Sequence, residues 1–280
     1  MGNLLSAHSV SKSFSSRFLF SDVSLHVHDQ EKLGIIGPNG SGKSTLLKIL
    51  CGVENPDEGQ VTLRKGKRIH YVPQQDDFEP DKTPLEIVLG ADSDFEDSDA
   101  KKALSKLGFE RFDQPIGELS GGWRKRVSLA IGIAKHADIM LLDEPTNHLD
   151  VEAMIWLENY IEKTPIAFIF VTHDRSFLEN CASRILELAS TYTEGFFEVT
   201  GNYSEFVRRK EAYLLSQEAM ESALANKVRR DTAWLRQGIQ GRQTRNKTQV
   251  QDAASRRAEL KSLSLRNDSK TRAATIEFDS

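Results

Sequence analysis

Apolar and polar positions alternate from residue 4 to residue 36, with turn residues between the alternating stretches, as in His8-Ser9-Val10 and Val23-Ser24-Leu25-His26-Val27. A two-residue period predicts antiparallel strands with one buried face. Other apolar runs are continuous. Leu33-Gly34-Ile35-Ile36 reads as a short buried strand, and Ile139-Met140-Leu141-Leu142 and Ile166 to Thr172 have the pattern of strands covered on both faces in a parallel sheet. Gln60 to Leu63, Arg68 to Val72, Ser183 to Leu188 and Gly195 to Thr200 also read as strands. Helical patterns lie between them. One starts at Thr45 and ends at Cys51-Gly52, and one starts at Thr83-Pro84-Leu85-Glu86 with proline in its first turn. Others run from Asp99 to Leu107, Arg124 to Lys135, Val151 to Glu162 and Ser176 to Ala182. Gly201-Asn202-Tyr203-Ser204 then turns the chain into a long charged helix reaching about Gln237. Gly238 to Gly241 breaks it, and a second polar helix runs from about Asn246 to Leu263. These two helices carry too few apolar residues to pack a core alone, which predicts a projecting helical hairpin. Ala274 to Asp279 returns to strand-like alternation.

The chemistry sits at the ends of the buried runs. Gly37-Pro38-Asn39-Gly40-Ser41-Gly42-Lys43-Ser44-Thr45 fits G-x-x-x-x-G-K-[ST] without a mismatch, between a strand and a helix. Glycines there let successive backbone N–H groups face one concavity, an anion nest at a helix N-terminus. Lys43 then reaches the outer phosphates of a nucleoside triphosphate, and the Ser44 hydroxyl binds Mg²⁺. Asp143 and Glu144 end a buried strand, at the sheet edge where ligands bind in open α/β folds. The first can hold Mg²⁺ through water, and the second can activate water as a base. Four further positions have two readings. His173 ends another buried strand and either reaches the terminal phosphate or is structural. Gln74 follows a strand and either serves the metal or is solvated. Phe14, placed in a loop, stacks on a nucleotide base or is a core aromatic, with Phe18 and Phe20 as competitors. Ser120 with Gly121 and Gly122 is a second phosphate site or a plain serine cap.

Composition adds a boundary and an asymmetry. A length of 280 residues suits one large domain plus an appendage. The net charge of −4 is ordinary, and no apolar run approaches a membrane span. Met1 to Ser6 lacks the regions of a secretory signal, and its loose myristoylation pattern is set aside because Leu4 and Leu5 look like the start of a strand. Cys51 and Cys181 lack metal-ligand spacing and read as two core thiols. From Asp76 to Asp99 ten carboxylates face only Lys82, whereas residues 227–272 carry 13 Lys and Arg against 4 Asp and Glu. The basic end calls for a partner, most simply a polyanion.

Together these motifs resemble the ATP-binding cassette (ABC) family, over roughly residues 4–200. Leu119-Ser120-Gly121-Gly122 matches its signature, and Leu141 to Asp150 matches the Walker B and D-loop run. The resemblance makes Gln74 the Q-loop glutamine, His173 the switch histidine and Phe14 the adenine-stacking aromatic. It implies a P-loop ABC ATPase domain over 1–205, with a parallel-sheet core, an antiparallel β subdomain and a small helical subdomain at about 76–136. Within the family the chain looks like an ABC-F protein. The D-loop reads Asn147-His148-Leu149-Asp150, Trp123 follows the signature, and Gly201-Asn202-Tyr203-Ser204 leads into a charged linker, here 206–272. Trp234 to Gly238, with Arg242 and Thr244-Arg245-Asn246, resembles the linker motif of the Uup subgroup. Gly241 stands there in place of Ala, and Gln249 and Gln251 in place of Arg.

ABC-F proteins carry two cassettes, so the resemblance implies a first half plus linker, with 273–280 starting a second cassette. ATP would lie between Lys43 of one cassette and the Ser120-Gly121-Gly122 signature of the other. The implied activity is an ATPase with Mg²⁺ that needs the second cassette for full rate. It is expected to be cytoplasmic and to bind the ribosome through Arg236, Arg242 and Arg245, acting in translation. The alternative is a Uup-like DNA-binding ATPase acting in replication, recombination or on branched DNA. A transporter's nucleotide-binding subunit is a third reading that leaves the basic linker without a role.

Overall fold

The computed structural model describes residues 2–14, 17–189, 191–192, 194–236, 251–261 and 264. The described residues form two compact units, one running to Ala189 and including Glu194–Phe206, the other comprising 191–192 and the chain from Val207 onward.

In the first unit the alternating pattern gives β1 (Asn3–Phe14) and β2 (Arg17–His28). They pair antiparallel, and β1 also pairs antiparallel with β4 (Glu58–Leu63). The inward positions Leu5, Ala7, Val10, Val23, Leu25 and Val27 are almost fully buried. Residues 4–36 do not all join this sheet, however. The antiparallel reading ends at His28, and β3 (Lys32–Ile36) belongs to the parallel sheet instead. There it lies between β7 (Ala167–Val171) and β8 (Arg184–Leu188). The full six-stranded order is β5-β6-β7-β3-β8-β9, with β5 (Ile69–Val72), β6 (Ile139–Asp143) and an antiparallel edge strand β9 (Phe196–Thr200). Every residue of β6 and β7 is buried, as their unbroken apolar runs require. Burying each Val, Leu, Ile or Phe side chain there stabilises the fold by about 1.5–3 kcal/mol. Because β3, β6 and β7 are parallel neighbours, the segments after Ile36, Asp143 and Val171 leave the sheet on the same edge.

Helices cover this sheet. α1 (Lys43–Leu50) follows β3 and buries Leu46, Leu47, Ile49 and Leu50. α2 (Pro84–Gly90) begins where the proline placed it, with a reciprocal cap between Thr83 and Glu86. α3 (Asp97–Lys106) and α4 (Gly121–Ala134) complete the helical part. α5 (Val151–Lys163) is capped by Asp150, whose carboxylate accepts from the Ala153 N–H at 2.8 Å. α6 (Arg175–Cys181) is capped in the same way by Asp174. α4 meets α5 through an aromatic clamp. The Arg126 guanidinium lies 4.2 Å from the Trp123 ring centroid and 4.1 Å from that of Trp156. Gly122 permits this approach, since a Cβ there would stand 2.6 Å from that of Ala153.

α7 (Tyr203–Arg236) starts at the predicted turn. In the second unit the rings of Tyr192 and Tyr213 are 5.7 Å apart, and Gln217 donates to the Tyr213 hydroxyl at 2.8 Å. A further helical stretch covers 251–261. Arg256 donates to Asp231 at 2.8 Å and Arg257 to Thr232 at 2.9 Å, tying it to α7. Of the linker arginines, Arg236 is the last residue of α7, whereas Arg242 and Arg245 lie outside the described residues, as does 273–280.

Candidate functional site

The loop joining β3 to α1 is shaped by left-handed backbone. Gly37 has φ +145° and Gly42, which caps α1, has φ +94°. A side chain at Gly42 would also strike Phe20, whose ring atoms lie 2.9 Å from an added Cβ. α1 begins at Lys43, two residues before the predicted start, and no side chain caps it. Its first N–H groups are therefore turned toward the loop. The Ser41 hydroxyl is buried without a hydrogen-bond partner. Lys43 is itself buried and donates back to the carbonyls of Gly37 at 2.9 Å and Pro38 at 3.1 Å. Burial pushes its pKa down, against the pull of the Glu144 and Asp143 carboxylates. An ammonium, open helix N–H groups and an orphaned hydroxyl make this cradle fit a phosphate chain.

Opposite the loop, β6 delivers Asp143. Its Oδ1 accepts from the Ser44 hydroxyl at 2.9 Å, and its Oδ2 accepts from the Tyr71 hydroxyl at 2.9 Å. Burial, reinforced by Asp143, pushes the Tyr71 phenol upward, so it stays a donor. The hydroxyl and carboxylate oxygens of Ser44 and Asp143 are hard donors that suit Mg²⁺. Glu144 turns out of the sheet with φ +45°, a left-handed conformation costly for a glutamate. Its N–H donates to the Val171 carbonyl at 2.9 Å, and its Oε1 lies 3.4 Å from His173 Nε2. Burial chiefly raises the Glu144 pKa; the Lys43 charge and a backbone hydrogen bond from His173 oppose this, and Asp143 adds to it.

These elements enclose an open cleft of about 380 Å³. From the phosphate loop it is lined by Asn39, Gly40, Gly42, Lys43, Ser44 and Thr45. Gln74, Glu144 and His173 face it from three other strand ends, and Phe14 stands at its edge. Phe14 is the last residue of β1 rather than a loop residue, and is 50% exposed. The core place among the three competing phenylalanines goes to Phe20, at 5% exposure, while Phe18 is largely solvated. Ser120, Gly121 and Gly122 do not line the cleft. Ser120 is the N-cap residue of α4, without a side-chain capping bond, and Gly121 and Gly122 open the helix.

Sequence reasoning missed four participants. Leu19 and Asn147 line the cleft, and Tyr71 holds Asp143. Lys125 is buried behind Gln74, paired with Asp76. Asp76 opens the acidic run of residues 76–99, and nothing local distinguishes it there.

The family model described as ABC transporter matches residues 20–147. The chain is 34% identical to YfmR of Bacillus subtilis (strain 168), called an uncharacterized ABC transporter ATP-binding protein, over 89% of this chain and 46% of that one. It is 34% identical to the energy-dependent translational throttle protein EttA of Haemophilus influenzae, over 84% of this chain and 49% of that one. Among solved structures, a dimeric ATP-binding cassette in a post-hydrolysis state, bound to ADP and Pi, superposes with a TM-score of 0.60 at 26% identity, over 70% of this chain and 98% of that one. The chain thus spans about half the length of the curated relatives it matches. Among the described residues no helix is long and apolar enough to cross a membrane.

Proposed function

The chain is an ATP-binding cassette of the ABC-F type, and from that premise we propose that it hydrolyses ATP and, with a second cassette, acts on the ribosome as a cytoplasmic translation factor. The observation that carries the ATPase reading is the convergence of Lys43, Ser44, Glu144 and His173 on one cleft, with Asp143 bonded to Ser44 behind it. Lys43 and the loop N–H groups bind the phosphates. Ser44, Asp143 and Gln74 would hold Mg²⁺, which neutralises charge on the phosphate oxygens. Glu144 takes a proton from the attacking water, and His173 hydrogen-bonds the terminal phosphate. Phe14 stacks on the base. The α4 N-terminus at Ser120-Gly121-Gly122 is left to meet a nucleotide held by the other cassette.

The translational part rests on the name borne by the EttA relatives and on the basic run over 227–272. Contacts of Arg236, Arg242 and Arg245 with rRNA or tRNA phosphates would be sequence-independent and salt-sensitive. The Uup-like subgroup is the finer reading of the same linker. In lysate spun through a sucrose gradient at moderate salt, the protein is expected to travel with ribosomes with ATP and to leave them with ADP. Absence from ribosomes, with nuclease-sensitive association with DNA instead, would overturn the translational reading and favour the DNA-acting one. Because each site lacks its opposite face in one cassette, turnover of this chain alone is expected to be low and to rise per molecule with concentration. A high, concentration-independent rate would remove the requirement for a second cassette.

A further inference from the structure

Behind the cleft wall, α4 carries a buried ion pair that the proposed chemistry leaves unused. Lys125 Nζ lies 3.0 Å from Asp76 Oδ2, and each side chain is only 6% exposed. Asp76 also accepts a hydrogen bond from the Ser128 hydroxyl, one turn further along the helix. The same Lys125 ammonium donates to the carbonyl of Pro73 at 2.8 Å and approaches that of Gln74 at 3.4 Å. One cation thus grips both ends of a four-residue segment, Pro73 to Asp76, just after β5. Of that segment, Gln74 alone lines the cleft.

A charge pair withdrawn from water is costly to assemble, and a merely cohesive contact here would be served as well by apolar side chains. What apolar side chains would not supply is direction. Three charge-assisted bonds from one ammonium to Pro73, Gln74 and Asp76 fix where the backbone stands and hence the point from which the Gln74 side chain starts. The geometry points to Lys125 as a positioning residue that, with Asp76 as its counter-ion, sets the Gln74 amide toward the phosphate cleft. It rests on the ATPase reading, because it needs Gln74 to serve the metal of bound nucleotide.

The test is a double-substitution cycle read through the Mg²⁺ requirement for binding a fluorescent ATP analogue. Gln74→Ala is expected to raise the Mg²⁺ concentration for half-maximal binding about tenfold, and Lys125→Met to raise it by a similar factor, the usual scale for losing a partner that orients a ligand. The double variant should then need no more Mg²⁺ than Gln74→Ala alone, and Lys125→Arg should recover most of the loss. Asp76→Asn, which keeps the volume, repeats the cycle if Lys125→Met fails to fold. Shifts that multiply in the double variant, or an unchanged requirement in the foldable Lys125 or Asp76 variant, would overturn the inference while leaving ATP binding in place. A Gln74→Ala protein with no shift would overturn the metal role and the inference together. An unsubstituted protein that binds no nucleotide would overturn the ATPase reading itself.

Discussion

Replacing Glu144 by glutamine is expected to cut ATP turnover by about 10²- to 10⁴-fold, the usual range for removing a general base, while nucleotide stays bound. Glutamine keeps the shape but cannot accept the proton of the attacking water. The backbone suits Glu144 to the proposed role: φ +45° turns it out of the buried strand, 3.4 Å from His173 at the cleft. Its environment also sets a pH signature. The pKa is raised above the ordinary glutamate value of 4.5, first by burial, with the Lys43 charge opposing. A base works deprotonated, so the rate should be lost as pH falls through that raised value and should level off above it. The acid limb therefore lies above the ordinary glutamate range, and the residual rate of the glutamine variant should lack it. Turnover within about tenfold of the unsubstituted protein, well short of the loss expected for a base, would assign the proton transfer elsewhere.

Lys43→Met is expected to weaken binding of MgATP on the order of 10²-fold, measured by equilibrium titration. A hydrogen bond to a charged group contributes about 1.5–3 kcal/mol, and about 1.4 kcal/mol corresponds to tenfold in affinity. The ammonium now spends its donors on the Gly37 and Pro38 carbonyls, so its transfer to phosphate oxygens exchanges neutral acceptors for charged ones. Methionine keeps an apolar stem in place and removes the ammonium with its two carbonyl bonds, a loss offset by no longer burying a charge. The nucleotide-free protein should melt close to the unsubstituted one, which separates lost phosphate binding from a collapsed loop. An affinity that does not change would deny Lys43 its contact with the nucleotide.

Much of this site was readable because its parts are local. The phosphate loop is nine consecutive residues between a strand and a helix, and Asp143-Glu144 and His173 each follow an unbroken apolar run. Continuous burial announces a strand covered on both faces, and the polar residue that ends it must lie at the sheet edge. What stayed hidden depends on partners far along the chain. β3 directly follows two alternating strands, yet its neighbours are β7 and β8, more than a hundred residues away. Tyr71 stands out only beside Asp143, and Asp76 only beside Lys125. Phe14 and Phe20 have the same side chain a few residues apart, and only the register of β1 against β2 separates the exposed ring from the buried one.

The clamp between α4 and α5 has a practical side. Of the chain's three tryptophans, two hold Arg126 between them, each ring a little over 4 Å from the guanidinium. Parting the two helices would take the guanidinium off both indole faces, so intrinsic emission is expected to report the change. A rearrangement that parts the two helices can be followed in real time on the unlabelled protein, with Trp234 as the background to subtract.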